Sequence, residues 1–236
     1  MMSEWEMFTI RVQEPHEDGY WYPVPSADKN GVVFDLDDGS PAPTVMSKSL
    51  HVHVGGKTVI KASEIKADLF ITDTRVGLAC TKYDKGGGWW GGPTALALNA
   101  GSKALAALRR RGKTLVGHIR YPWLVSVLYT TRTGMFSDEN IRLTCTVPTK
   151  DGYAPLIVTL QLPKTTSAQM VATEITQRAA RFKLNAVPNL QDADRAALTN
   201  LLNPSPPTPQ KNVFVGWDFP SGTSMVVGAE GSLSQP

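Results

Sequence analysis

The stretch IRLTCTVPTKDGYAPLIVTLQLPKTTSAQMVATEITQRAARFKL, residues 141–184, decides the fold class, because its apolar period changes partway along. Ile141 to Val147 and Leu156 to Leu162 are β-rich runs flanking Thr149-Lys150-Asp151-Gly152. Asp-Gly is the favoured dipeptide of a tight hairpin turn, so the first half predicts two antiparallel strands. In the second half Ala168, Val171, Ile175, Ala179 and Phe182 recur at helical spacing. Thr166 and Gln169 fit a capping box at its start. Gln177, Arg178, Arg181 and Lys183 fall on other faces and at the C-terminal end, where cations suit the helix dipole. A helix from Thr166 to Leu184 with one dry face is predicted, docked on the sheet.

Upstream the pattern is also β. Leu50-His51-Val52-His53-Val54 alternates, and Gly55-Gly56 turns it into Thr58-Val59-Ile60. Ala67 to Thr72 and Val76 to Thr81 are joined by Asp73-Thr74-Arg75. Thr114 to Arg120 and Leu124 to Thr131 lie either side of Pro122. Downstream, Pro188 and Pro204 bound a short helix over Gln191 to Leu202. Pro204-Ser205-Pro206-Pro207-Thr208-Pro209 reads as a stiff linker, Val213 to Trp217 as an added strand, and 220–236 as a tail. The expected plan is an acidic N-terminal arm (1–49), a main domain (50–185) with an insertion at 85–113, a short helix (186–203), and a proline-rich linker and tail (204–236).

Composition bounds the function. Of the 236 residues 42% are hydrophobic, enough for a core, and the net charge of +3 excludes a histone-like polycation or an acidic disordered chain. Two cysteines exclude a disulfide framework and a Cys₄ zinc site. Cys80 and Cys145 lie in apolar runs and read as buried thiols in a reducing compartment. The opening MMSEWEMFTIRVQEP carries Glu4 and Glu6 where a secretory signal needs a basic start, so a cytoplasmic location is expected. The longest weakly polar run, Gly86 to Leu108, is mostly Ala and Gly, not the strongly apolar run of a membrane span.

The charge is asymmetric. Residues 1–44 hold nine acids against two bases, and residues 85–137 hold eight bases and no acid. Within the basic part, Lys85-Gly86-Gly87-Gly88-Trp89-Trp90-Gly91-Gly92-Pro93 precedes an Ala- and Leu-rich helical stretch, Thr94 to Arg111. Leu98, Gly101, Leu105 and Leu108 share one face. Three readings stay open: the helix covers the domain; its small residues, Ala100, Gly101, Ala104 and Ala107, form a self-association surface; or the segment meets a membrane. In the last, Trp89 and Trp90 sit at headgroup depth while Arg109, Arg110, Arg111 and Lys113 attract anionic lipid. These six residues are the candidate lipid- or partner-binding site. Nucleic acid is disfavoured, because no recognition motif accompanies the short basic cluster.

Catalytic motifs fail. Gly56-Lys57-Thr58 and Gly112-Lys113-Thr114 lack the upstream glycine of a phosphate loop, having His51 and Ala107 there. Neither G-x-S-x-G nor H-E-x-x-H occurs. His51 and His53 share a strand face without a third ligand nearby in sequence, and Asp35, Asp37 and Asp38 lack a full calcium-loop pattern. No enzyme activity, cofactor or metal is therefore expected.

The order of several strands, an Asp-Gly hairpin and one capped helix over residues 50–185 resembles the PH-like superfold, in particular GRAM and bacterial PH-like domains. The likeness rests on Ala67-Asp68-Leu69-Phe70-Ile71-Thr72-Asp73-Thr74-Arg75-Val76-Gly77-Leu78, an apolar strand, polar turn, Arg and second strand. His118-Ile119-Arg120-Tyr121-Pro122-Trp123-Leu124-Val125-Ser126-Val127 is similar to the later strand entry. The resemblance implies a mainly β (α+β) fold, a PH-like β-barrel or sandwich of about seven strands capped by the C-terminal helix, with an inserted Ala-rich helix. It implies a non-enzymatic binding module, a peripheral adaptor at an anionic membrane surface or on a protein partner. The alternative is a self-assembling scaffold, a homo-oligomer joined through 86–113.

Overall fold

The computed structural model describes residues 11–13, 45–62, 67–80, 114–132, 138–149, 152–210 and 213–224. Two antiparallel sheets and two helices make up these parts.

Tight turns set the local strand pairs. β3 (Ser49–Val54) and β4 (Lys57–Ala62) are joined by Gly55 and Gly56, whose φ angles are 53° and 80°. Two consecutive positive φ values make the turn that matches strand twist, which glycine adopts without steric cost. β5 (Ala67–Ile71) turns into β6 (Arg75–Cys80) at Thr72, whose backbone N–H donates to the Arg75 carbonyl at 3.0 Å. The Thr72 hydroxyl oxygen accepts from the Thr74 and Arg75 backbone N–H groups. Tyr121 Oη donates to the Thr72 carbonyl at 2.6 Å and locks the turn to the core.

β9 (Glu139–Thr149) and β10 (Gly152–Leu162) form the central hairpin. Both strands run longer than their apolar cores, because Thr149 and Gly152 pair directly and only two residues remain for the turn.

The first sheet is ordered β1-β7-β6-β5-β2, with β1 (Arg11–Gln13), β2 (Val45–Met46) and β7 (Thr114–Arg120) completing it. The second is β11-β8-β9-β10-β3-β4, with β8 (Leu124–Thr130) and β11 (Val215–Asp218). Among the described residues no ladder joins the two sheets, so the expected barrel closure is not formed, and the main domain holds eight strands, β3 to β10, where about seven are expected. Between β7 and β8 the chain makes a 3-10 turn, Tyr121–Trp123, instead of a continuous strand. Leu50, Val52, Ile71, Ile141, Leu143, Val158 and Leu160 are buried, as the in-out alternation of their strands requires, and Val76 and Leu78 are buried in β6.

Helix α1 (Ala168–Ala186) packs on β8, β9 and the 3-10 turn. Its N-cap is Ser167, one residue past the expected Thr166, because Thr166 closes a turn on the Pro163 carbonyl. The Ser167 hydroxyl accepts from the Met170 N–H, and the Glu139 carboxylate accepts from the Ala168 N–H at 2.5 Å. Both satisfy donors that a helix start leaves unpaired. Val171, Ile175 and Ala179 are buried as expected, but Phe182 is only partly so, and the dry stripe ends on Lys183. Lys183, expected on a face other than the dry stripe or at the C-terminal end, thus lies on the stripe itself: it follows Ile175 and Ala179 at steps of four.

Helix α2 (Asp192–Asn200) packs against α1 and buries Leu198. Residues 213–224 add the edge strand β11 and a 3-10 turn, Ser221–Thr223, in which Thr223 is buried. No described helix is long and apolar enough to cross a membrane.

Candidate functional site

Trp89, Trp90, Arg109, Arg110, Arg111 and Lys113 all lie outside the described residues, as do Asp35, Asp37 and Asp38. His51 and His53 share the outer face of β3, opposite Thr159 and Ile157 of β10. Among the described residues no three His, Cys, Asp or Glu side chains are placed to share an ion. Gly56-Lys57-Thr58 sits in a β-hairpin, where no helix N-terminus follows to receive a phosphate.

Among the described residues, an open groove of about 1010 Å³ runs along the solvent side of α1. The helix builds its floor through residues one and four apart: Gln169, Met170, Thr173, Glu174, Gln177, Arg178 and Arg181. The β5–β6 turn brings Asp73, β2 brings Val45, and the segment after α2 brings Pro204 and Pro206. Arg178 bonds both to Asp73 and, one helical turn away, to Glu174 at 3.1 Å. The pair with Asp73 ties the helix to the β5–β6 turn. Asp73 and Glu174 balance Arg178 and Arg181, so these four groups leave no excess charge along the groove. The apolar content is concentrated in Met170, which is 73% exposed, beside Val45 and the two prolines. A largely exposed methionine adapts its shape to whatever covers it. Hydroxyl and amide groups of Thr166, Thr173, Gln169 and Gln177 supply donors and acceptors around it. The sequence shows none of this: it places Gln177, Arg178 and Arg181 only on faces other than the dry stripe.

The second unusual group is Lys183. It is fully buried and has no carboxylate partner among the described residues. Nζ donates to the Thr223 carbonyl at 2.7 Å and to Ser224 Oγ at 3.0 Å, and lies 4.9 Å from the Phe219 ring centroid. Burial lowers its pKa to about 7, against a smaller opposing pull from Cys145. Burial pushes the Cys145 thiol up to about 12, with Lys183 opposing. A lysine beside a serine hydroxyl suggests nucleophile activation, but the Ser224 proton is given to the Leu124 carbonyl at 2.9 Å. Lys183 therefore acts as a donor holding the 219–224 segment to α1, not as a base on Ser224.

Compared with models of known protein families, with curated proteins and with solved structures, the chain matches none of them.

Proposed function

We propose that this chain is a non-enzymatic binding module of PH-like type, whose α1 groove receives an extended segment of a protein partner. The strand order supports the PH-like part. The first hairpin, β3–β4, joins the last, β9–β10, through the β3–β10 ladder, and a single long helix follows the last strand and packs on the sheet. A fold of this kind supports many functions, so the site carries the rest of the argument.

The observation that carries it is the charge-balanced lining of the groove. An anionic headgroup gains most where unpaired cations collect, and here Arg178 is already engaged by two carboxylates. A polypeptide segment suits the lining better. Its backbone matches the hydroxyls and amides, and one apolar side chain covers Met170. The membrane-adaptor and self-association readings draw on residues 86–113 and stand apart from this groove.

Peptide display on the immobilised full chain tests the proposal. Selected peptides bind wild type with micromolar Kd and bind Met170→Glu at least about tenfold more weakly, equivalent to about 1.4 kcal/mol. Because Met170 is exposed, this variant keeps the wild-type fold. Equal binding to both, or no enrichment, contradicts the groove as the site. Anionic vesicles run in parallel with the full chain report on the membrane reading through salt-sensitive co-sedimentation.

A further inference from the structure

The outer face of the six-stranded sheet carries a second arrangement, independent of the groove. Arg142 lies on β9 with Leu128 of β8 and Thr159 of β10 as its cross-strand partners. Thr159 is paired in turn with His51 on β3, and His51 with Lys61 on β4. Among the residues of this row whose side chains are described, Arg142 and His51 carry basic groups and none carries a carboxylate. In the row that passes through Ser126 and Thr144, the acid is Asp218, at the far edge on β11.

The guanidinium of Arg142 is stacked under the Phe214 ring, 3.7 Å from its centroid. Its Nε is buried and has no hydrogen-bond partner. No carboxylate pairs with it among the described residues. Burial lowers its pKa from the ordinary arginine value, the mark of a cation taken partly out of water without an anion to compensate. A guanidinium is a planar fork of five donors, and an aromatic stack fixes the plane of that fork. Here a ring, rather than a carboxylate among the described residues, orients the guanidinium. The threonine hydroxyls of Thr144 and Thr159 border it on the same face, both partly exposed.

We infer that this face binds a phosphate group, with Arg142 as the forked donor and Thr144 and Thr159 as flanking hydroxyl donors. A tetrahedral phosphate offers oxygens to the fork and to a hydroxyl beside it at once, and bidentate arginine contacts are the strong form of this pairing. The absence of acids from the Arg142 row keeps the local field favourable for the dianion. The phosphate is either free or part of a lipid headgroup, since both present the same oxygens.

The test uses the full chain and inorganic phosphate, with sodium chloride at matched ionic strength as reference. Binding is followed by calorimetry and by chemical shifts of the Arg142 and Thr159 amides. Wild type shows saturable millimolar binding with shifts confined to β9 and β10. Arg142→Lys keeps the charge but loses the fork and the stack, and binds at least about fivefold more weakly. Arg142→Met loses saturable binding. Folding of each variant is checked by its thermal transition, and Phe214→Leu, which removes only the stack, provides a milder variant with an intermediate loss. Vesicles containing phosphatidic acid then assign the source. Arg142-dependent vesicle binding assigns the headgroup, and phosphate binding without it assigns a soluble phosphate. Shifts no larger than those from chloride, or an Arg142→Lys affinity equal to wild type, overturn the site.

Discussion

Lys183 shows how one residue couples the helix to the end of the described chain. Its amine is buried and held by Thr223 and Ser224, with no carboxylate partner among the described residues, so the charged form is disfavoured and the pKa falls to about 7 from 10.5. The unfolded lysine keeps its ordinary value. Below about pH 7 both states are protonated and the full cost of burial is present. Between about 7 and 10.5 the unfolded state holds more protons, so stability rises with pH. Cys145 acts in the opposite sense above about pH 9, where the unfolded thiol ionises while the buried one, at about 12, does not. The window from pH 7 to 9 therefore isolates Lys183, with a gain of about 2 kcal/mol at 1.36 kcal/mol per pKa unit. Urea unfolding at the two pH values measures it. Lys183→Met flattens the dependence, and a slope retained in that variant means that another group produces it. The residue was legible in principle: position 183 continues the four-residue steps from Val171. Residue type argues the other way, since a lysine is almost never fully buried unpaired.

At the scale of elements, the local pieces were readable and their partners were not. The Gly55-Gly56 turn, the β9–β10 hairpin and the α1 stripe are each contained in a short stretch of chain, so sequence shows them directly. The β3–β10 ladder joins segments about a hundred residues apart, and no local pattern encodes it. The same holds for β11, which completes the edge of the second sheet beside β8. There Gly216 lies so close to β8 that an added Cβ would overlap the Val127 carbonyl oxygen and the Leu128 backbone. Gly216→Ala must push the strand off, since backbone on both sides cannot yield as a flexible side chain would. The expected cost is about 1–3 kcal/mol, with faster amide exchange over 215–218 than over β9. Unchanged exchange in β11 would show that the strand tolerates the methyl. Trp217 stacks on Tyr129 at 5.6 Å and its Nε1 donates to the Ser205 carbonyl, so loosening β11 also loosens the proline segment that walls the groove.

For the whole molecule, the arrangement divides labour between its two sides. One face of the six-stranded sheet carries α1, tied by Arg178 to the β5–β6 turn and by Lys183 to the chain after β11, with the groove running along the helix's outer surface. The other side is the open face of the six-stranded sheet around Arg142. The mainly β character and the helix that follows the hairpin were legible from period changes alone. The groove was not, because it is assembled from β2, a turn, α1 and Pro204, which meet only in the fold. The candidate residues chosen from sequence, Trp89 to Lys113, stood out by composition, whereas the groove is built from ordinary polar residues whose meaning comes from position. The most direct measurement is amide shift mapping of the full chain titrated with a display-selected peptide. Shifts confined to 169–181, Asp73 and the residues after α2 are predicted. Shifts centred on the Arg142 face, or spread evenly with no change along α1, would contradict the assignment of the groove.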